Sequence, residues 1–262
     1  MTDPRPDHSL EILEKRLITV ASGKGGVGKT WLAVTLTHAL SHAGKKTALF
    51  DGDLGLANVD IQLGIMPEKD LGNVISGDAT FEDIALPYKD NDGSSFDVLP
   101  GKSGSGALGA LSRSTLNGLK HQLTLCAKNY DYLLLDLAAG IDPAVTSLSH
   151  HGGKILVVMT ADPTSLTDAY AFIKLTVMQN PKADIAVVVN NVASKREGER
   201  AFEAIKRACE GFLKISPPLI GIIRTDKKVV DAIRSQVPLL TRHPSSEAAA
   251  DVKQIAAYLM KA

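Results

Sequence analysis

Cysteine is scarce in this chain of 262 residues: there are two, Cys126 and Cys209, far apart and each inside a helix-like stretch. That spacing supplies neither a metal cluster nor a disulfide framework, so both read as buried thiols in a reducing compartment. Net charge is also missing, because 29 basic side chains meet 29 acidic ones. The balance argues against a surface built as a whole to attract nucleic acid, although local basic patches are compatible with it. No apolar run approaches the roughly 18 residues of a membrane span, and the first residues, "MTDPRPDHSLEILEKR", are polar and mixed in charge, unlike a signal peptide. A cytoplasmic protein is the expectation. The sequence shows no internal repeat and no low-complexity tract.

What is present is an alternation. Short β-branched runs at 17–22, 46–51, 96–100, 131–136, 154–160, 184–190 and 218–223 alternate with longer stretches of helical period, the mark of βαβ units around a parallel sheet. The clearest helix runs from Ser165 to Gln179, where Leu166, Ala169, Tyr170, Ile173 and Val177 recur at steps of three and four. A second covers Lys195 to Leu213. Residues 91–95 and 101–106 read as surface loops. The expected architecture is α/β, a mostly parallel central sheet of seven or eight strands with helices on both faces, which the phosphate-loop motif at 23–30 narrows to the P-loop nucleotide-binding fold. Residues 1–16 form a polar lead-in of unassigned order, and 17–262 a single domain.

"GKGGVGKT" (23–30) fits G-x-x-x-x-G-K-[ST], follows an expected strand and opens an expected helix, the setting that motif requires. Gly23, Gly25, Gly26 and Gly28 let the backbone surround phosphate oxygens, with the amide of Val27 among them, while the helix beginning near Lys29 aims its positive end at them. Lys29 is expected on the β- and γ-phosphates and the Thr30 hydroxyl on Mg²⁺; Trp31 follows them into the site. The generic motif does not specify Lys24. "YLLLDLAAGID" (132–142) is an apolar strand ending in an aspartate, and Asp136 is placed to hold Mg²⁺ through water. In "FDGDLGLANVD" (50–60), Asp51 and Asp53 leave the carboxyl end of the second strand on the same rim as the loop, where open α/β sheets bind ligands. The bland reading is that such aspartates cap the next helix.

"KGGVGKT" resembles the deviant Walker A motif of the MinD/ParA family, and the resemblance extends from about Leu17 to the end of the chain. It implies an ATPase (ATP and water to ADP and phosphate) that is slow and switch-like, with ATP and Mg²⁺ as cofactors and a nucleotide-sandwich homodimer formed with ATP. Lys24 would reach across that dimer to the partner's phosphates, as an arginine finger does; Asp53 would orient the attacking water and, with Asp51, support the Mg²⁺ shell. Asn58 falls in the switch I segment. "DLAAGID" resembles switch II, in which Gly140 lets a backbone amide swing toward the γ-phosphate. Asn190 occupies the family position that reads the adenine edge, with Asn191 its neighbour and a turn or helix cap as the alternative. In "IIRTDKKVVDAI" (222–233), Arg224 stands where the family carries a proline, which puts base stacking in doubt although a guanidinium can itself stack; Asp226 lies beside it. "TADPTSLTDAY" (160–170) places Asp162 and Asp168 at the dimer seam, or simply starts a helix with Pro163 near its first position.

Within the family, "DPTSLTDAYAFIKL", "VVNNVASKREGERAFE" and "HPSSEAAADVKQIA" are most similar to the FlhG/FleN subgroup of MinD-like regulators of flagellar number and placement. That resemblance implies a GTPase of the signal-recognition-particle class or a flagellar regulator as partner. "PDHSLEILEK" (6–15) nevertheless lacks the Asp-Gln-Ala motif that many members use on such a GTPase. MinD-type proteins also end in an amphipathic membrane-targeting helix. Here Val252, Ile255, Ala256 and Leu259 recur at helical spacing with few basic residues opposite, which favours a helix packed on the domain over peripheral attachment to the inner face of the plasma membrane. A ParA-type partitioning ATPase on nucleoid DNA is the competing function. The acids interspersed in "SKREGERAFEAIKRA" (194–208) weigh against it and make nucleic acid an unfavoured partner. Paired cysteines for an iron-sulfur carrier and a tyrosine cluster for a kinase are absent, Tyr258 standing alone near the end; a dethiobiotin-synthetase-like ligase conflicts with the switch motifs.

Overall fold

The computed structural model describes residues 8–53, 57–90, 93–101 and 111–261. Eight strands form one sheet in the order β3-β4-β2-β5-β1-β6-β7-β8: β1 Leu17–Ala21, β2 Thr47–Gly52, β3 Leu86–Lys89, β4 Ser95–Leu99, β5 Tyr132–Leu137, β6 Lys154–Met159, β7 Asp184–Val192 and β8 Leu219–Arg224. Helices connect and cover them: α1 His8–Glu14, α2 Lys29–His42, α3 Val59–Leu63, α4 Leu71–Ser76, α5 Phe81–Ile84, α6 Arg113–Cys126, α7 Pro143–Ser149, α8 Pro163–Gln179, α9 Lys195–Ala208, α10 Lys227–Arg234, α11 Leu239–Arg242 and α12 Glu247–Leu259. All neighbouring strands run parallel except the β3/β4 pair at one edge.

The central strands are apolar throughout because both of their faces are covered. In β1, Leu17 and Ala21 join Leu133, Leu135 and Val157 in a core under α6, α8 and α9, where Leu123, Phe172 and Ile205 pack. Ile18 and Val20 point the other way and join Leu134, Leu156 and Val158 under α2 and α12, with Leu32, Leu36 and Ile255. Alternate residues thus feed two cores, and each fully buried Leu, Ile or Val contributes about 1.5–3 kcal/mol. Helix α2 is buried almost all round between the sheet, α11 and α12, so it carries no polar stripe.

Strand and helix boundaries lie within a residue or two of those expected, and Ser95, read as loop, opens β4. The eighth strand, β3, is short, contains Pro87 and pairs antiparallel at the sheet edge, a position where proline forfeits no ladder bond that matters. The second half of the lead-in is helix α1, and the Glu14 carboxylate accepts a bond from the Gly152 N–H at 2.8 Å. The 195–213 helix divides at Ala208, where a wider π-turn, Cys209–Leu213, takes over. Most of the 101–106 loop and part of 91–95 lie outside the described residues. Both cysteines are buried and free, and burial pushes their thiols up to about 12 at Cys126 and about 11 at Cys209. Helix α12 spends its apolar face on the domain, burying Val252, Ile255, Ala256 and Leu259. Among the described residues no helix is long and apolar enough to cross a membrane.

Candidate functional site

Strand β1 sits between β5 and β6, and the connection after β1 leads toward β2 on one side while that after its neighbour β6 leads toward β7 on the other. The segment following β1 opens at the switch point where ligands of open α/β sheets bind. Residues 23–28 form the loop and Lys29 begins α2. Gly28, at φ +88°, occupies the left-handed region, and a Cβ there would lie 2.4 Å from Asn190 Nδ2. Gly23 is required for a different reason: a Cβ would lie 2.0 Å from the Asp168 carbonyl oxygen on α8. Asp168, expected at a dimer seam, therefore also forms the back wall of the loop.

Asp51 and Asp136 are register partners on the neighbouring strands β2 and β5, which fixes both carboxylates at one rim. Asp136 is buried, and its Oδ1 has no hydrogen-bond partner. Burial pushes its carboxyl up to about 7, opposed by a hydrogen bond from the Thr30 side chain and by Lys29, and reinforced by Asp51 and Asp53. Lys29 is itself 9% exposed, and burial lowers its pKa against the attraction of Asp136 and Asp53. A buried carboxylate oxygen lacking a donor, one hydroxyl away from the phosphate loop, fits a hard divalent cation with oxygen ligands. Thr30 and Asp136 are the residues placed to hold it.

Asp51 is occupied differently. Its Oδ2 accepts from the Asn58 and Val59 amides, both at 2.9 Å, and its Oδ1 from the Asp53 amide at 3.3 Å. It therefore ties the switch I segment to β2 and caps α3; burial, outweighing these bonds, pushes its carboxyl up to about 6. The capping reading accounts for Asp51, while Asp53 is half-buried and close enough to feel Lys29, Asp136 and Asp51. Residues 54–56 between Asp53 and Asn58 lie outside the described residues. In switch II, the Gly140 amide donates to the Ser22 carbonyl at 2.9 Å, linking that segment to the base of the phosphate loop.

Lys24 lies exposed on the rim, and its Nζ donates to Thr164 Oγ1 at 2.7 Å, near the start of α8. Its own carbonyl accepts from Ser22 Oγ at 2.6 Å. Asp162 is exposed at the N-cap of α8 with Pro163 at the first turn, as the helix-start reading requires.

Beside the loop lies a cavity of about 280 Å³ lined by Gly26, Val27, Trp31, Asn190, Asn191, Arg224, Asp226 and the α10 residues Val229, Val230 and Ile233. It brings together the residues expected to recognise a base, but their polar ends are turned to the protein. Asn190 Nδ2 donates to the Val27 carbonyl at 2.8 Å, holding the loop. Arg224 is not available to stack: Nε and Nη2 donate to the buried Asp251 carboxylate at 2.9 and 3.0 Å, and Nη1 to Glu247. Asp226 caps α10 through the Lys228 amide at 2.9 Å. The sequence reading missed the apolar wall supplied by α10, whose Val229, Val230 and Ile233 at helical steps of three and four carried the signal, and it missed Thr164 and Asp251, which no motif marks. A larger cavity of about 630 Å³, between α6 and α7, takes only Ile141 from the quoted motifs and none of the candidate phosphate, metal or base residues.

A glycine-bearing loop at the switch point, a buried lysine, a threonine hydroxyl on a strand-end aspartate and an apolar slot alongside define a P-loop nucleotide-binding α/β protein. The chain belongs to the CobQ/CobB/MinD/ParA nucleotide binding domain family, whose model matches residues 18–239. It is 34% identical to the antiactivator FleN of Pseudomonas aeruginosa over 92% of this chain and 85% of that one. With the flagellum site-determining protein YlxH of Helicobacter pylori it shares 27% identity, over 94% and 82%. Among solved structures, the cell division ATPase MinD of Pyrococcus furiosus superposes with a TM-score of 0.78 at 26% identity, covering 94% of this chain and 99% of that one. The septum site-determining MinD of Pyrococcus horikoshii, complexed with Mg-ADP, gives 0.77 at 25%, covering 94% and 96%.

Proposed function

We propose that this protein is a MinD-type ATPase switch that regulates flagellar number or placement. In this reading it pairs as an ATP-bound homodimer, engages a flagellar regulator or a GTPase of the signal-recognition-particle class, and returns to monomer after slow hydrolysis. The observation that carries the reading is the separation of the two loop lysines: Lys29 is buried beside Asp136, whereas Lys24 stands exposed on the rim, where another subunit's phosphates could meet it. The similarity to YlxH and FleN supports the flagellar assignment, and the Mg-ADP complex of a similar MinD supports the cofactors.

The loop amides, the α2 N-terminus and Lys29 would bind and orient the phosphates, with α10 and Trp31 walling the base. Thr30 and Asp136 would hold Mg²⁺, which when bound supplies positive charge that offsets the phosphates. Asp53 would align the attacking water, and Asp51 would keep the switch I backbone in place for it. Gly140, now bonded to Ser22, would be released to follow the γ-phosphate. Asp162 and Asp168 would border the partner, and Lys24 from the second subunit would neutralise charge developing on the transferring group. Arg224 and Arg242, which could add positive charge to a DNA-binding patch, are engaged with Asp251 and Asp231, which leaves the partitioning alternative with less free positive charge.

The test is light scattering with saturating ATP and Mg²⁺. Asp53→Ala should accumulate as a dimer, and Lys24→Ala should stay monomeric while still binding nucleotide. A monomeric Asp53→Ala would sink the proposal.

A further inference from the structure

At the far end of α2 from the phosphate loop, three ligand-type atoms converge. His38 and His42 are four residues apart and so leave one face of the helix; their Nε2 atoms are 2.8 Å apart. Asp90, just past β3, brings Oδ2 to 3.1 Å from His38 Nε2 and 3.6 Å from His42 Nε2. The side chains of His38 and Asp90 are almost wholly buried, and that of His42 is 23% exposed. Thr241 Oγ1 donates to the same Asp90 oxygen at 2.7 Å, and Ser94 Oγ lies 3.4 Å from His38 Nε2.

Protons do not account for this triangle well. One proton on each Nε2 sets two N–H groups against one another at the shortest edge; a proton on only one leaves a nitrogen lone pair facing a carboxylate. A cation at the centre satisfies all three edges at once. Bonds of about 2.0–2.1 Å in a tetrahedral set place ligand atoms roughly 3.3 Å apart, a value that 2.8, 3.1 and 3.6 Å straddle. Two imidazoles with one carboxylate suit zinc-like transition metals and not magnesium, which prefers an all-oxygen shell. The hydroxyl of Thr241 orients the carboxylate as an outer partner does, and the exposed side of His42 gives entry.

We propose that His38, His42 and Asp90 form a binding site for a divalent transition metal of the zinc class, separate from the nucleotide site. His38 lies nine residues beyond Lys29, about 13 Å along the helix at 1.5 Å per residue, so the metal takes no part in the chemistry at the phosphate loop. Its effect is to clamp the end of α2 to the antiparallel β3/β4 edge and, through Thr241, to α11.

The experiment uses untagged, nucleotide-free full-length protein freed of metal with a chelator, titrated with Zn²⁺ and with Co²⁺ as a spectroscopic probe. One equivalent should bind, Co²⁺ should give the visible bands of a tetrahedral nitrogen and oxygen site, Zn²⁺ should raise the melting temperature, and Mg²⁺ should do neither. His42→Ala and Asp90→Asn, each checked for native circular dichroism, should weaken binding at least roughly tenfold, and His121→Ala, on an exposed helix position, should not. Zinc affinity equal in His42→Ala and the unaltered chain, or no stoichiometric binding at all, would overturn the proposal.

Discussion

Lys24 and Thr164 are hydrogen-bonded at 2.7 Å across 140 residues of sequence. The lysine assigned to a second subunit is held by its own chain. Any reach across a dimer must first break that bond. An exposed hydrogen bond of this kind is worth about 0.5–1.5 kcal/mol, and a symmetric dimer breaks two of them, so Thr164→Val should tighten ATP-dependent dimerisation by at least about fivefold. Sedimentation at graded protein concentrations measures it, and an unchanged dimer constant would show that the tether has no cost.

Asp136 couples stability against function. Its carboxyl is raised to about 7 by burial, whereas in the unfolded chain it sits near 3.8. The folded protein therefore takes up a proton that the unfolded chain does not as pH falls from 7 toward 4, and gains stability from it. Asp136→Asn lacks that term: metal-free variant should be more stable than the unaltered chain at pH 8, with the gap closing toward pH 5. Urea denaturation at several pH values reads the gap. Mg²⁺-dependent hydrolysis by the same variant should fall at least about 100-fold.

His151 gives the opposite sign. It is buried in the core, and burial depresses its pKa from 6.5 to about 3. The Gly153 amide donates to Nδ1 at 3.0 Å, so the ring proton is on Nε2 and points at Thr19 Oγ1, 2.7 Å away. The unfolded chain binds a proton below 6.5 that the folded one refuses, so this stability is present above pH 6.5 and is lost as pH falls toward 3. His151→Asn, whose amide oxygen can still accept from Gly153, should show a shallower loss between pH 7 and 4 in the same urea experiment. Parallel curves would refute the assignment.

Trp31 is the sole tryptophan and lines the 280 Å³ cavity. Filling that cavity with nucleotide should change its emission, which provides a direct titration. Val230, also on the wall, is 50% exposed, so Val230→Glu should leave the fold intact and weaken nucleotide binding about tenfold by placing a charge in an apolar slot. Equal affinity for both proteins would move the base elsewhere.

The parts of the site that were legible in the sequence are those that covalent adjacency builds. The loop, the strand before it and the helix after it occupy one stretch from Leu17 to His42, and Asp136 follows directly from an apolar strand. Partners brought in by folding were not legible. Nothing around Thr164 marks it as the seat of Lys24, and Asp251 gives no sign that it will take the guanidinium of Arg224. Asp51 shows what spacing alone leaves open: a strand-end aspartate can reach the ligand or the next helix, and here it accepts from the Asn58 and Val59 amides. Strand β3 escaped because four residues with a proline carry too little alternation to separate them from a turn.

The phosphate loop is synthesised well before α12. Yet α12 covers α2 and, through Asp251, anchors the arginine beside the base cavity. A ribosome-bound chain can thus expose a complete loop motif long before it owns a finished nucleotide pocket. Emergence of α12, more than the appearance of the motif, sets the moment at which the protein becomes competent to bind.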